Sequence, residues 1–586
     1  MLRQFHLNQL QKLMDALYME DFSGYCRHLS FSQANLLVTL DEHSQLSFSC
    51  IKQAGLSPYR LQSDTVYFID QRVGSRTRIP PQEIMTYFTR ASWWPGDTQQ
   101  MEKQQRADLW WRQCFNFIEQ LSAQIPGWQK LSLASLPLSE CYAIAADRPF
   151  HPFAHAKEEL ASLIGSEKLS RVKVYWWGFR RDNIISRNKQ ATDKTPASFL
   201  LSREQKLALD SKMAEKISPA ATNADYIALP LLATQDLALG SQAEDLGAVD
   251  LGFTTELGLP TSSLRTLMSD NNNLHVKLST YARTLGAMRS MPPRYLVNGD
   301  HAFRLLLDIS AKDPLLSQTL ALSDEQLWWV AGKPEELITN PGHYACQLRF
   351  LPEATAGTEY LAMSALTYQG ESVWQLALGQ ELDEWQAVRE LSQLFIRTFL
   401  SLWCQGVMPE CHGQNVIACY EQGRLSGFIL RDHDTLRICP ARLKQQGLNI
   451  PDYQINWSTP NTLVLATDAE LLAYFTTLGL QVNLFPIALA VIGRSEHTES
   501  EFWHWTRQCI SDFINQLIDT SLADTLRQEL LYAQKWPFKQ VLTPLLQRQE
   551  LSTSMPSSMG EITNPLPGNQ SQSSNQEVYE TVSVPA

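Results

Sequence analysis

Pro260-Thr261-Ser262-Ser263-Leu264-Arg265-Thr266, followed by His275-Val276-Lys277-Leu278-Ser279 and then Arg289, is the stretch from which the rest of the chain is read. Two hydroxyls, Ser263 and Thr266, bracket the Arg265 guanidinium, a combination able to donate several hydrogen bonds to one polyanion. In the second run Val276 and Leu278 alternate with Lys277 and Ser279, the two-residue period of a strand, which puts Lys277 on its polar face. Across residues 260–290 Arg265, Lys277, Arg283 and Arg289 stand against one acid, Asp270, within a chain of net charge −12. Two readings are open. One is a site for phosphate or carboxylate; the other is a solvated basic face with surface salt bridges.

Outward from this stretch, the 586 residues give three or four domains at about 150 residues each, or fewer large ones. With 44% hydrophobic and 19% charged residues the composition is that of a globular protein. Because 49 Lys and Arg face 61 Asp and Glu, nucleic acid is not an expected partner. The N-terminus reads as an amphipathic helix through Leu10, Leu13, Met14 and Leu17 rather than as a signal peptide. The apolar run Leu484–Ile492 is about half the ~20 residues of a membrane span, so no membrane is expected. Ten Cys without a CxxC pair fit reduced, buried thiols and a cytoplasmic setting.

The segmentation is helical over 1–135, with mixed three- and four-residue apolar steps in Leu109–Leu121. Short strand-like runs, Val172–Trp177, Tyr226–Leu229 and His275–Ser279, mark a mixed region over 136–345. From 346 to 566 strand-like Ala345–Leu351 and Gly427–Leu430 alternate with helical Trp385–Trp403 and Glu501–Leu517, an α+β pattern. Residues 567–586 hold too few large apolar side chains to order themselves and are expected to be disordered.

P-loop, dinucleotide-fold, nucleophile-elbow and HExxH signatures are all absent, and the spacing of Cys404, Cys411, His412 and Cys419 fits no zinc site. Two further clusters carry polar chemistry. Glu410-Cys411-His412-Gly413-Gln414-Asn415 with Arg431-Asp432 supplies hard oxygen ligands of the kind that hold Mg²⁺ on a nucleotide's phosphates. It is equally read as a capped turn with a structural His. Arg148-Pro149-Phe150-His151-Pro152-Phe153-Ala154-His155-Ala156-Lys157 places cations and imidazoles ahead of a helical stretch, where an anion would suit them.

Taken together and in this order, these residues resemble the IucA/IucC family of siderophore synthetases, which work independently of nonribosomal peptide synthetases. Thr261–Thr266 with Lys277 and Arg289 is similar to the family's S-x-R-T segment; Glu410-x-His412-x-Gln414-Asn415 and Arg431-Asp432 are similar to its E-x-H-x-Q-N and R-D elements. Asn564-Pro565-Leu566 resembles its C-terminal N-P-L. Two departures stand out: the family's H-P-x-H-P is Arg148-Pro149-Phe150-His151-Pro152 here, and its H-P-W-Q is Leu232-Ala233-Thr234-Gln235.

The resemblance implies an α+β fold in a three-part cradle: a helical thumb, β-containing fingers and an α+β palm. It implies an ATP- and Mg²⁺-dependent ligase that adenylates citrate or a citryl derivative and condenses it with an amine or alcohol, acting as a homodimer. It assigns ATP contacts to His151, Ser263, Arg265, Thr266, Lys277, Arg289 and Gln414, catalysis to Arg265 and His412, and the metal to Glu410, Asn415 and Asp432. A synthetase using 2-oxoglutarate or another acid, and a non-catalytic binder of a polycarboxylate or ferric siderophore, are the alternatives.

Overall fold

The computed structural model describes residues 1–95, 101–128, 134–157, 170–187, 194–217, 225–269, 273–285, 287–458, 461–547 and 557–566. The segment expected to be a disordered tail, 567–586, lies outside them.

The N-terminal helix Leu2–Met19 forms where its apolar stripe predicts, and Leu10, Leu13, Met14 and Leu17 are fully buried. Beyond it the expectation of an all-helical region to residue 135 fails. Five antiparallel strands, Leu29–Ser32, Asn35–Asp41, Ser44–Lys52, Tyr59–Asp70 and Ser75–Ile79, form a sheet in sequence order. The signal is a two-residue period: in Asn35–Asp41, Leu36, Val38 and Leu40 are buried while their neighbours are not. Helical spacing returns over Met101–Trp128, which covers the sheet with Trp111, Cys114 and Phe115.

The middle of the chain builds two antiparallel sheets. Lys173–Arg180 lies between Tyr226–Leu231 and Ala248–Glu256. The larger sheet runs Leu259–Pro260, Thr266–Met268, Leu274–Leu278, Ala345–Phe350, Asp324–Ala331, Ile184–Ser186. The third part carries a four-stranded sheet, Leu320–Leu322, Arg424–Leu430, Val416–Glu421 and Thr358–Ala362, backed by helices. The longest of these, Glu384–Cys404, starts where Asp383 accepts the N–H groups of Trp385 and Gln386. It buries Val388, Leu391, Phe395, Phe399 and Leu402 at helical spacing.

The helical segment Asp468–Ile492 is longer than the apolar run read from sequence and is apolar enough to cross a membrane, but 83% of its apolar window is buried inside the protein. Its Phe475–Leu484 portion is π-helical. All ten cysteines are free thiols, and eight are buried.

Two tethers join the ends of the chain to the rest. The Glu20 carboxylate accepts the N–H groups of Val541, Leu542 and Thr543 at 2.7 Å, capping the helix Leu542–Gln547 from across the fold. Lys12 Nζ donates to the Ala146 carbonyl at 3.1 Å, placing a cation at the C-terminal end of the helix Ser135–Ala146.

Burial pulls the Lys12 ammonium down to about 8, with Lys157 acting in the same direction and Asp147 against it. Between pH 8 and the ordinary 10.5 the unfolded chain therefore holds a proton that the folded chain has lost, so stability rises with pH across that window. Relative to a Lys12→Met variant, the wild type should gain about 3 kcal/mol over this range. Chemical denaturation at pH 7.5, 9 and 10.5 measures it, and a pH-independent difference would contradict the shift.

Candidate active site

The strand Leu274–Leu278 is central in its sheet, with Lys277 opposite Thr266 on one side and Gln347 on the other. Every residue of that strand is buried, so Lys277 faces no open polar surface as the alternation suggested. Instead its ammonium pairs with Asp432, whose other partner is Arg349 Nη2 at 2.6 Å.

Thr261–Thr266 folds into a tight turn closed by Thr261 N–H donating to the Thr266 carbonyl at 2.8 Å. Ser263 Oγ accepts from Thr266 N–H at 3.2 Å and donates to Thr266 Oγ1 at 2.9 Å. Leu264 takes a left-handed conformation, φ 60°, and is fully buried. Such backbone is costly for a branched residue, and its burial fixes the direction in which Arg265 leaves the turn. Arg265 Nη1 then donates to the carbonyls of Arg289 and Ser290 at 2.9 and 3.3 Å.

A buried ion pair joins this turn to the two palm loops. Arg431 Nη1 lies 2.5 Å from Glu140 Oε1, with the two side chains 2% and 0% exposed. Glu140 Oε2 accepts the Ser262 N–H at 3.2 Å, Arg431 Nε donates to the Gln414 carbonyl at 2.7 Å, and Gln414 Nε2 donates to Ser262 Oγ at 3.2 Å. Helix Ser135–Ala146, the Ser262 turn and the 410–415 loop are thereby held by one pair of charges.

These elements enclose one cavity, lined by Ser263, Arg265, Thr266, Lys277, Arg289, Glu410, His412, Gln414, Asn415 and Asp432. Residues some 170 positions apart in sequence, singled out by chemistry alone, share its walls. His151 does not. It is buried and is not among the residues lining the cavity, its Nδ1 accepting from Phe153 N–H at 3.2 Å, and burial together with Arg148 pulls it down to about 3. Arg148 and Lys157 line the cavity in its place, Lys157 held 2.6 Å from Asp147. Of the second departure, Leu232 and Gln235 are buried at the start of helix Ala233–Leu239, away from these walls.

The cations are crowded. Burial, then Arg148 and Arg265 beside it, push Arg289 well below the usual guanidinium range, and burial lowers Arg265 too. Acids line the same cavity. Burial works against ionisation of Glu410, but His412 at 3.7 Å and Arg437 at 3.0 Å hold it well below the usual carboxylate range. For Asp432 burial is likewise outweighed, by Arg349 and then Lys277. Asp434, which also lines the cavity, is raised by burial, with Asp432, Glu325 and Glu410 adding to the effect and Lys277 opposing it.

Among the described residues no three His, Cys, Asp or Glu are placed to hold a metal on their own. Glu410, Asp432 and Asn415 line the same cavity as Arg148, Arg265 and Arg289, a donor set that fits Mg²⁺ shared with an anionic ligand, since Mg²⁺ takes one or two carboxylates and completes its shell from substrate and water.

Several residues of the site were not read from the sequence. Glu325 Oε1 accepts from Asp432 N–H at 2.9 Å and Arg349 Nε at 2.6 Å, so it positions Asp432, yet it lies more than a hundred residues away with no local pattern. Lys539, from the strand Lys535–Gln540, is half-buried within the fields of Glu410, Arg437 and Arg148. Asp434 had a signal, its position two after Asp432.

Comparison with known proteins agrees with this architecture. An IucA/IucC family domain covers residues 140–368, and residues 388–553 match a family described as ferric iron reductase FhuF-like transporter. Staphyloferrin B synthase of Staphylococcus aureus is 29% identical over 95% of this chain and 97% of its own length. The petrobactin biosynthesis protein AsbB of Bacillus anthracis superposes with a TM-score of 0.75 at 16% identity, covering 98% of this chain and 97% of its own. ATP-bound aerobactin synthetase IucA of Klebsiella pneumoniae superposes with a TM-score of 0.71 at 16% identity, covering 96% and 100%.

The family domain and the synthase relative indicate a siderophore synthetase, and hence a ligase. Residues 140–368 carry an IucA/IucC family domain, and nearly the whole chain is similar to a siderophore synthase.

Removing one member of a buried pair leaves the other charge uncompensated. Glu140→Gln is expected to cost about 3–5 kcal/mol in denaturant unfolding, and Glu140→Leu with Arg431→Met to recover more than half of that. Equal losses in both variants would show that the pair does not act as a unit.

Proposed function

We propose that the enzyme activates a carboxylic acid with ATP and Mg²⁺ as an acyl adenylate and passes the acyl group to an amine or alcohol. The observation that carries this is the packing of Arg148, Arg265 and Arg289 around a cavity that Glu410, Asp432 and Asp434 also line. Guanidiniums this close repel one another, and a triphosphate relieves the repulsion. The ATP-bound state of the IucA homologue supports the same nucleotide here.

A carboxylate does not acylate an amine at neutral pH until one of its oxygens becomes a leaving group. Attack of that oxygen on the α-phosphorus gives the acyl adenylate and pyrophosphate; attack of the amine on the acyl carbon then gives the amide and AMP. Ser263, Arg265, Thr266, Lys277 and Arg289 hold the phosphates and stabilise the charge that builds on them, the main source of rate enhancement in phosphoryl chemistry of this kind. Arg265, fixed by the Arg289 and Ser290 carbonyls, needs no reorganisation as that charge develops. Glu410, Asn415 and Asp432, with Asp434, would hold Mg²⁺, which neutralises phosphate charge when bound. Glu410 orients His412 toward the acyl group. Gln414 commits its amide to Ser262 and so shapes the phosphate turn. Citrate or a citryl derivative is the favoured acyl donor; 2-oxoglutarate is the alternative.

Pyrophosphate release from MgATP, measured with citrate, 2-oxoglutarate and succinate in turn and hydroxylamine as trap, tests the reading. Release that depends on one acid, with its hydroxamate formed in equal amount, is the expected result. No acid-dependent release from folded, ATP-binding protein would overturn adenylation of these acids. Arg265→Ala should lower acid-dependent release about 10²–10³-fold at saturating ATP, the effect of one charge-stabilising donor. Unchanged turnover would remove Arg265 from the reacting phosphates.

A further inference from the structure

Among the described residues, Asp468–Ile492 is the one helical segment long and apolar enough to cross a membrane, yet its π-helical portion Phe475–Leu484 holds two buried amides, Gln481 and Asn483. An amide in apolar surroundings is costly unless its donors are used. Neither amide bonds to its own helix. Gln481 Nε2 donates to the Pro537 carbonyl at 2.9 Å, and Asn483 Nδ2 donates to the Cys411 carbonyl at 2.9 Å. Because a carbonyl only accepts, Asn483 must turn its NH₂ to Cys411, the residue between Glu410 and His412. π-Helical turns are rare and are frequent at functional sites.

The 410–415 loop presents its residues in two directions. Glu410, His412 and Gln414 line the reaction cavity, whereas Cys411 and Gly413 are buried and do not. Cys411 fills a notch in the helix: a Cβ on Gly479, four residues before Asn483, would stand 3.1 Å from its Sγ. Gly413 is pressed closer still. A Cβ there would come within 2.8 Å of Ser364 N and 3.1 Å of Asn483 Oδ1, and the Gly413 carbonyl accepts the Ser364 N–H at 2.9 Å. The π-helical segment thus meets the loop at the two residues that do not line the cavity.

We infer that Asn483 is a positioning residue for the metal ligands of the site: by holding the Cys411 carbonyl and backing Gly413, it fixes the direction in which Glu410 leaves the loop. Asn483 does not line the cavity, so it acts through the loop alone. His412 and Arg437 hold the Glu410 carboxylate; Asn483 holds the main chain beside it. The inference rests on the reading of Glu410 as an Mg²⁺ ligand in an ATP site.

Two measurements on the full chain test it, hydrogen exchange of the 410–415 loop without ligand and isothermal titration of ATP at rising Mg²⁺. Asn483→Leu removes the donor at nearly constant volume. Its loop amides should exchange about tenfold faster than in the wild type, and its half-maximal Mg²⁺ concentration for ATP binding should rise about 10–100-fold, the effect of losing a group that orients a metal ligand. Excess Mg²⁺ should restore the wild-type affinity for ATP, which a general loss of structure would not allow. Thr477→Val is the control: it lies in the same π-helical portion, is 1% exposed, and its hydroxyl donates only to carbonyls of its own helix, so both readouts should match the wild type. If Asn483→Leu does not fold, Gly413→Ala, which lifts the loop off Asn483, should give the same two changes. Unchanged loop exchange or an unchanged Mg²⁺ midpoint in the folded variant, or the same changes in Thr477→Val, would overturn the inference. A wild type that binds no ATP at any Mg²⁺ concentration would overturn the ATP reading instead, while the loop exchange still decides whether Asn483 holds the loop.

Discussion

The Glu140–Arg431 pair is the constraint on which the active site depends. Two charges taken fully out of water are tolerated only where every remaining donor and acceptor is used. Here the surplus bonds go to the Ser262 N–H, the Gln414 carbonyl and, through the Arg431 main chain, the Asn415 carbonyl. The requirement that a buried ion pair be satisfied thus places the 261–266 turn and the 410–415 loop at a fixed separation. A helix, a hairpin turn and a palm loop that share no local sequence become one rigid wall.

Around that wall the molecule accepts unfavourable local energies. Leu264 sits in left-handed backbone, Arg289 is crowded by two other guanidiniums, and burial pushes Asp434 toward its neutral form. None of these serves the empty fold. The crowding of Arg289 and the raised Asp434 are electrostatic, and a bound anion with its counter-cation would relieve both; the Leu264 backbone is a separate, conformational cost. Glu325 and Arg349 belong to the same arrangement: they fix Asp432 before any ligand arrives.

Legibility followed the range of the interactions. Arg265, Lys277, Glu410 and Asn415 could be read because their chemistry is concentrated in short motifs. Helix Glu384–Cys404 could be read because its apolar period is long and regular. The sheet over residues 29–79 was missed because its strands are short and the two-residue alternation of Leu36, Val38 and Leu40 is submerged between stretches of helical spacing on either side. Glu140, Glu325, Arg349 and Lys539 were missed for a different reason: each acts through a partner distant in sequence, and no spacing rule reaches that far. His151 was expected in the cavity by likeness to a motif, but its neighbour Arg148 lines the wall and the buried imidazole does not.

The Glu20 carboxylate that caps Leu542–Gln547 has a consequence for synthesis on the ribosome. The core of the N-terminal sheet includes Leu542, Leu545 and Leu546, residues translated more than 450 positions after its last strand. Until they emerge, that sheet and its helix expose an unfilled apolar seam and a buried-to-be acid with no amide to accept. The first region of the chain to be made is therefore among the last to be finished. A chain cut short before residue 542 leaves that apolar seam of the N-terminal unit open to other chains.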